Sequence, residues 1–305
     1  MLFTQLATYD RLFLGIYIND SFSLLMWEKK MLNEILKLIN LISPQGKEYV
    51  EYAYKKGKMS VLYTLFTEDN KGVLLKVEDD YTCIYYAIFL KSEPIEVMNM
   101  IQHHVNESIL NSKLQELCFN IYGCNSKIIE LVRQLGFKSD MEGYHLEYSI
   151  NEILFIEDIK LEVKGFNDSM LDHFVYLFDQ AYNPLNLENG WSINTYELNK
   201  NHFHDNLVEL NHQNQVYSFW LKDKLIGAYI FEENYMTDLV IHPKYQNMGY
   251  GSYLLRHCIK NIEINKKVKQ IRLRVAKSNK GAKRLYERMG FIEIAFFSEH
   301  TYRMK

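Results

Sequence analysis

The chain has 305 residues, 48% of them hydrophobic and 24% charged, with a formal net charge of -3. That composition fits a globular protein with a real core and disfavours a disordered or fibrous chain. Lysine and arginine are scattered without a basic stripe, so a nucleic-acid partner is not expected.

The first twenty residues are apolar but lack a basic start and are interrupted by Asp10, Arg11 and Asp20, so they read as folded structure and not as a signal peptide. No run of 18 or more residues is free of charged or polar breaks, so no membrane span is expected. Cys83, Cys118, Cys124 and Cys258 form no C-x-x-C pair and read as reduced thiols of a cytoplasmic protein.

In chain order, apolar residues at helical spacing from Ser21 to Leu41 predict a helix, stopped by Ser43-Pro44-Gln45-Gly46. MSVLYTLF, GVLLKVE and YTCIYYAIFL predict three strands, and a helix follows Pro94 through Ile95, Val97, Met98, Ile101 and Val105. Then come a strand LQELCFNIY, a helix NSKIIELVRQLG and a strand pair in FKSDMEGYHLEYS.

The second half starts again with a strand LEVKGF and a helix NDSMLDHFVYLFDQAY capped by Asn167 or Asp168. NPLNLENG opens a polar segment running to about Asn214 and reads as a loop. VYSFWLKDKLIGAYIF predicts a hairpin, YMTDLVIHP a strand and SYLLRHCIKNI a helix. KQIRLRVAKS alternates as a strand, NKGAKRLYERMG ends as a helix at Gly290, and two further strands are expected after it.

The halves repeat. Gly136-Phe137 and Gly290-Phe291 stand 154 apart (290 minus 136), and the same offset relates Asn125 to Asn279 and Leu131 to Leu285. Two copies of one mixed α/β unit are therefore expected, with a boundary near residue 150.

The stretch Gln246-Asn247-Met248-Gly249-Tyr250-Gly251-Ser252 leads from a strand into a helix. First-turn amides lack internal partners and carry the positive end of the helix dipole, so such a loop can hold a phosphate. Glycine alone does not decide this, since turns that enter helices often contain it. Gly251 is followed by Ser252-Tyr253, which is no Walker loop, and Leu254 stands where a dinucleotide fingerprint needs glycine.

Taken with Ile241-His242-Pro243 before the loop, and Asn279, Ala282, Leu285, Tyr286 and Gly290-Phe291 after it, the pattern resembles the GNAT superfamily of acyl-CoA N-acyltransferases. The resemblance covers roughly residues 160 to 305; the first half shares it only through the repeat, as in tandem-domain members. It implies two domains, each a mixed, mostly antiparallel central sheet flanked by helices. Residues 1–150 would be a degenerate, structural copy and 151–305 the catalytic, acetyl-CoA-binding one. The amides from Asn247 to Ser252 would cradle the CoA pyrophosphate, the splayed strand Leu239-Val240-Ile241 would pair with the pantetheine arm, and Gln246 and Asn279 would complete the site. Tyr286 would protonate the departing thiolate, and a carboxylate among Glu232, Glu233 and Asp238 would act as base through water.

Bland roles stand beside these. Tyr286 lies on an apolar stripe, and Asn279 is a natural helix cap. His202, His204 and Asp205 lack a third ligand at recognisable spacing, so no metal is expected. Trp191, Tyr196 and Phe203 could line an acceptor pocket or only fill a core. In the first copy the loop position reads KSEPIEVMNM, with two glutamates, a proline and no glycine, and the offset sends Tyr286 to Val132. The expected function is an acetyl-CoA-dependent N-acetyltransferase acting on a small-molecule or peptide amine, as a monomer or homodimer without nucleic-acid or membrane partners. The alternative is a non-catalytic acyl-CoA binder or sensor.

Overall fold

In a computed structural model the described residues are 21–42, 44–111, 114–149, 159–266 and 268–304, and they fall into two compact units. One comprises Met1–Glu142 together with Ala295–Lys305, the other Gly143–Ile294. The boundary expected near residue 150 lies in 150–158, outside the described residues.

The first unit opens with helices α1 (Ser21–Ile42) and α2 (Pro44–Lys55). The proline expected to stop the first helix also starts the second, because an N-terminal helical position needs no N–H. Strands β1 (Met59–Phe66), β2 (Lys71–Glu78) and β3 (Cys83–Phe89) pair antiparallel in sequence. Helix α3 (Ile95–Asn111) returns the chain so that β4 (Glu116–Gly123) lies parallel to β3, and α4 (Ser126–Gln134) follows.

Strand β5 (Lys138–Ser149) is one continuous strand, not the expected pair. Gly143 sits in register opposite Ala276 and makes no turn. The chain end is likewise one strand, β11 (Ile292–Arg303), and it pairs antiparallel with β4. From Ala295 on it belongs to the first unit and serves both faces of that sheet. Ala295 and Phe297 join Ile35, Ile39, Val50 and Val73 under α1 and α2. Phe296 and Tyr302 pack with Val97, Ile101, Ile128 and Val132 under α3 and α4.

The second unit repeats the plan. Strand β6 (Glu162–Lys164) leads to α5 (Leu171–Asn189), α6 (Thr195–Leu198) and α7 (Lys200–His212). Strands β7 (Val216–Leu221), β8 (Lys224–Glu232) and β9 (Tyr235–Ile241) form an antiparallel meander; α8 (Tyr250–Lys266) leads to β10 (Gln270–Ala276), parallel to β9, and α9 (Lys280–Arg288) follows. The part of β5 from Gly143 on completes this sheet beside β10. Phe174, Phe178 and Phe203 cover one face and Leu254, Cys258, Ile262 and Tyr286 the other.

The expected loop at NPLNLENG is instead the last part of α5, with Pro184 inside the helix and exposed. Asn183 and Asn186 are spent on the chain that follows and Asn189 on Leu185 O, which removes the pull of such residues toward turns. No helix among the described residues is long and apolar enough to cross a membrane, and all four cysteines are free thiols.

Two outcomes test this layout. Phe297→Ala, at a side chain 2% exposed, should cost about 3 kcal/mol. Hydrogen exchange should then quicken in β1–β4, far from it in sequence, while β8 and β9 keep their protection. Burial also depresses His145 to about 3 and His300 to about 4 from 6.5. Each takes its proton in the unfolded chain first, so stability should be full above about pH 6.5 and fall steadily between pH 6.5 and 4. Urea midpoints across that range read it directly.

Candidate active site

The site begins where β9 leaves its parallel partner. Their pairing covers only Arg272–Tyr235 and Leu273–Met236. On the other side β9 stays paired with β8 up to Ile241 opposite Gly227. A register shift after Ile230, which faces Asp238 while Phe231 faces Met236, marks a bulge at Thr237, whose hydroxyl donates to Ile230 O at 3.2 Å. Bulges bend a strand and re-aim its side chains, and here the bend coincides with the end of β9–β10 pairing.

Backbone polarity at this opening follows from register. His242 N–H donates to Ile226 O at 2.8 Å, so alternation turns Val240 toward β8 and the peptide groups of Leu239 and Ile241 toward the β10 side. Gln246 Nε2 reaches back to Ile241 O at 3.0 Å, so this side chain ties the following loop to the strand end.

After a short helical turn at Pro243–Tyr245, Asn247 and Gly249 adopt positive φ of 62 and 87°. A Cβ on Gly249 would meet nothing within 4 Å, so conformation, not crowding, calls for glycine there. Gly251 answers a different need: a Cβ there would stand 3.2 Å from Leu285 of α9. Tyr253 N–H bonds Gly249 O at 3.2 Å, which makes the amides just before it the uncommitted first turn of α8. Met248 is exposed at the loop tip, and Ser252 Oγ accepts from Arg288 Nη2 at 3.3 Å, which brings a guanidinium to the loop.

Asp238 and Tyr286 are brought into one electrostatic neighbourhood. Desolvation raises the carboxyl of Asp238 above its ordinary range, opposed chiefly by the hydrogen bond from Tyr182 and by the charge of Arg274. Tyr182 Oη donates to Asp238 Oδ1 at 2.8 Å. Burial, then the charges of Cys258 and Asp238, hold Tyr286 protonated far above neutral pH. Glu233 lies elsewhere: it is exposed, at φ 52°, in the β8–β9 turn at the opposite end of β9 from the glycine loop. Glu232 ends β8 beside that turn.

Asn279 caps α9 by accepting Ala282 N–H at 3.1 Å. Its counterpart Asn125 heads α4 without such a bond; its amide donates to Tyr122 O instead. His204 is engaged by Asp168 at 3.1 Å and Asp205 at 3.3 Å, and among the described residues the group able to gather around a metal is His103, His104 and Glu107 on α3. Tyr196 and Phe203 pack against each other at 4.7 Å, and Trp191 follows α5 with its N–H on Asn186 O at 2.8 Å. Tyr182, Asp179 and Arg288 are site neighbours that no local sequence signal marks, because each reaches its partner across the fold.

In the first unit the corresponding strands are closed together. β3 and β4 pair without interruption from Ile84–Cys118 to Phe89–Gly123. Gly123, at φ 104°, lets the ends meet: a Cβ there would lie 2.1 Å from Phe89 O. Glu93 fills the loop position and accepts Lys127 N–H at 3.2 Å.

The second unit therefore combines an antiparallel meander, a crossover helix entered through a glycine loop, and a parallel strand that diverges beside it. Residues 176–291 match the acetyltransferase (GNAT) family model. An acetyltransferase of the GNAT family from Colwellia psychrerythraea is 13% identical, with 79% of this chain and 84% of that one covered, at a TM-score of 0.50. A conserved protein of unknown function from Staphylococcus epidermidis is 14% identical, with 75% and 93% covered, also at 0.50. A tandem GNAT protein from the clavulanic acid biosynthesis pathway is 11% identical, with 77% and 79% covered, at 0.49. No curated protein shows significant similarity to the chain. The second unit thus matches the GNAT family model over 176–291, and the chain as a whole shares the fold of GNAT-family structures.

Gly249→Val would force a β-branched residue into the left-handed region, at about 1–2 kcal/mol. The melting temperature should drop by a few degrees while the core packing, read by near-UV circular dichroism, stays unchanged.

Proposed function

We propose that the second unit is an acetyl-CoA-dependent N-acetyltransferase for a primary amine, and that the first unit is its structural companion without a CoA site. The single observation that carries this reading is the contrast in strand pairing. β9 and β10 part after two residue pairs beside a glycine loop, whereas β3 and β4 stay paired to the end beside Glu93.

The opening fits a thioester of CoA. The backbone N–H and C=O of Leu239 and the N–H of Ile241 suit an amide-bearing arm, and the amides of Asn247 to Ser252, with Arg288 nearby, suit its pyrophosphate. Asn279 holds α9 in place just after the end of β10. Asp238 takes a proton from the amine, directly or through water; its raised pKa makes it a stronger base than an exposed aspartate. The amine nitrogen then bonds to the acyl carbon, the C–S bond breaks, and Tyr286 gives its proton to the thiolate. Glu233 has no part in this scheme, given its place at the far end of β9.

Acetyl-CoA at one hundred times its Kd should stabilise the native protein by roughly 2.7 kcal/mol. Tyr286→Phe should keep that thermal shift and lower kcat by about a hundredfold, the range of one acid–base group. A retained shift with no CoA release from any amine would instead make the domain an acyl-CoA binder without catalysis. No shift would refute both.

A further inference from the structure

We propose that Tyr182 is a positioning residue that fixes the Asp238 carboxylate for the acceptor amine, and that Asp179 locks Tyr182 by pinning the segment 190–199 over it. The role rests on the acyltransferase reading of Asp238 given above, but the geometry stands on its own.

Asp179, Tyr182, Asn183 and Asn186 recur at helical spacing on α5, so they share one face of that helix. Every one of them is committed. The half-buried carboxylate of Asp238 takes the Tyr182 hydroxyl at 2.8 Å from a residue far away in sequence. The Tyr182 ring is stacked on Tyr196, with centroids 5.9 Å apart and planes 19° apart. Tyr196 sits on α6, a four-residue helix too short to hold itself. Asp179, buried at 6% exposure, supplies the missing support: its two oxygens accept the N–H groups of Tyr196 and Glu197, both at 3.1 Å.

The rest of the segment is tied to the same face. Asn183 and Asn194 exchange two bonds, Asn194 N–H to Asn183 Oδ1 at 2.9 Å and Asn183 Nδ2 to Asn194 Oδ1 at 2.7 Å. Asn194 holds a left-handed φ of 54° in the process. Asn186 Nδ2 donates to Ser192 O at 3.0 Å. A stretch that reads as polar loop is thus a strap, and what it presses into place is the tyrosine that touches Asp238. The Asp179 carboxylate both satisfies the first N–H groups of this turn and fixes the ring stacked on Tyr182, so the place of the turn sets the place of the base.

The groups facing Asp238 are Tyr182 from α5, Tyr196 from α6, Tyr286 from α9, Arg274 from β10 and Thr237 on its own strand. Of these, Tyr182 donates to the carboxylate and favours its charged form. Loss of the Tyr182 hydroxyl therefore raises the carboxyl further and frees its rotamer.

Tyr182→Phe keeps the ring stack and removes only the donor. We expect kcat at pH 7 to fall about tenfold, the scale of one hydrogen bond to a charged group, with KM for acetyl-CoA unchanged and the acid limb of the pH profile moved to higher pH. Asp179→Asn should raise KM for the amine and quicken hydrogen exchange at Tyr196 and Glu197. The Asp238 carboxyl, followed by 13C NMR and assigned through Asp238→Asn, should titrate at higher pH in Tyr182→Phe than in the unmodified chain. An unmoved titration and pH limb would overturn the proposal even if the protein is an active acetyltransferase. A moved titration in a protein that releases no CoA would leave the coupling standing and remove the acyltransferase reading.

Discussion

Everything at the candidate site depends on where the parallel pairing of β9 with β10 stops. Two residue pairs hold the strands together at Tyr235 and Met236; beyond them the bulge at Thr237 bends β9 while its bonds to β8 persist. A sheet interior normally satisfies both edges of a strand. Here one edge, carrying the peptide groups of Leu239 and the N–H of Ile241, faces the opening, while Gln246 holds the Ile241 carbonyl. The same bend aims Asp238 toward Tyr182 and Tyr286, so the slot and the carboxylate come from one irregularity.

The first unit shows what the plan becomes without it. Its meander, crossover helix and parallel strand follow the same order, yet β3 and β4 pair along their length and the loop between β3 and α3 has become an acidic cap for α4. Folding demands the core and the hydrogen-bonded ladder, and the closed version satisfies both. The open version leaves ladder bonds unmade and Asp238 desolvated, local costs of the kind that collect at functional sites. That asymmetry between two copies in one chain argues for function in the second more strongly than the glycine loop does.

Much of this was legible in the residues, for physical reasons. Strict alternation in KQIRLRVAKS and helical spacing in NKGAKRLYERMG depend only on local periodicity, and both elements stand where expected. The repeat offset predicted two similar units. What sequence could not carry is anything decided across the fold. The exchange of β11 into the first unit depends on pairing with β4, far upstream. NPLNLENG reads as loop because Asn and Pro favour turns, yet it is helix because Asn183 and Asn186 bond the strap beyond it and Asn189 bonds Leu185 O. Asp238 could not be told from Glu232 or Glu233 by spacing; a bulge separates them, and bulges leave no reliable mark in sequence. Asn125 and Asn279 look equivalent, but only Asn279 caps its helix through its side chain.

The central claim is that one unit, and only one, takes acyl-CoA between parting parallel strands. Hydrogen exchange measured with and without acetyl-CoA tests it most directly. The account predicts new protection at 239–252 and 272–279 and none at 84–98 or 118–126. Protection in the first unit's stretches, or none in the second's, would contradict it.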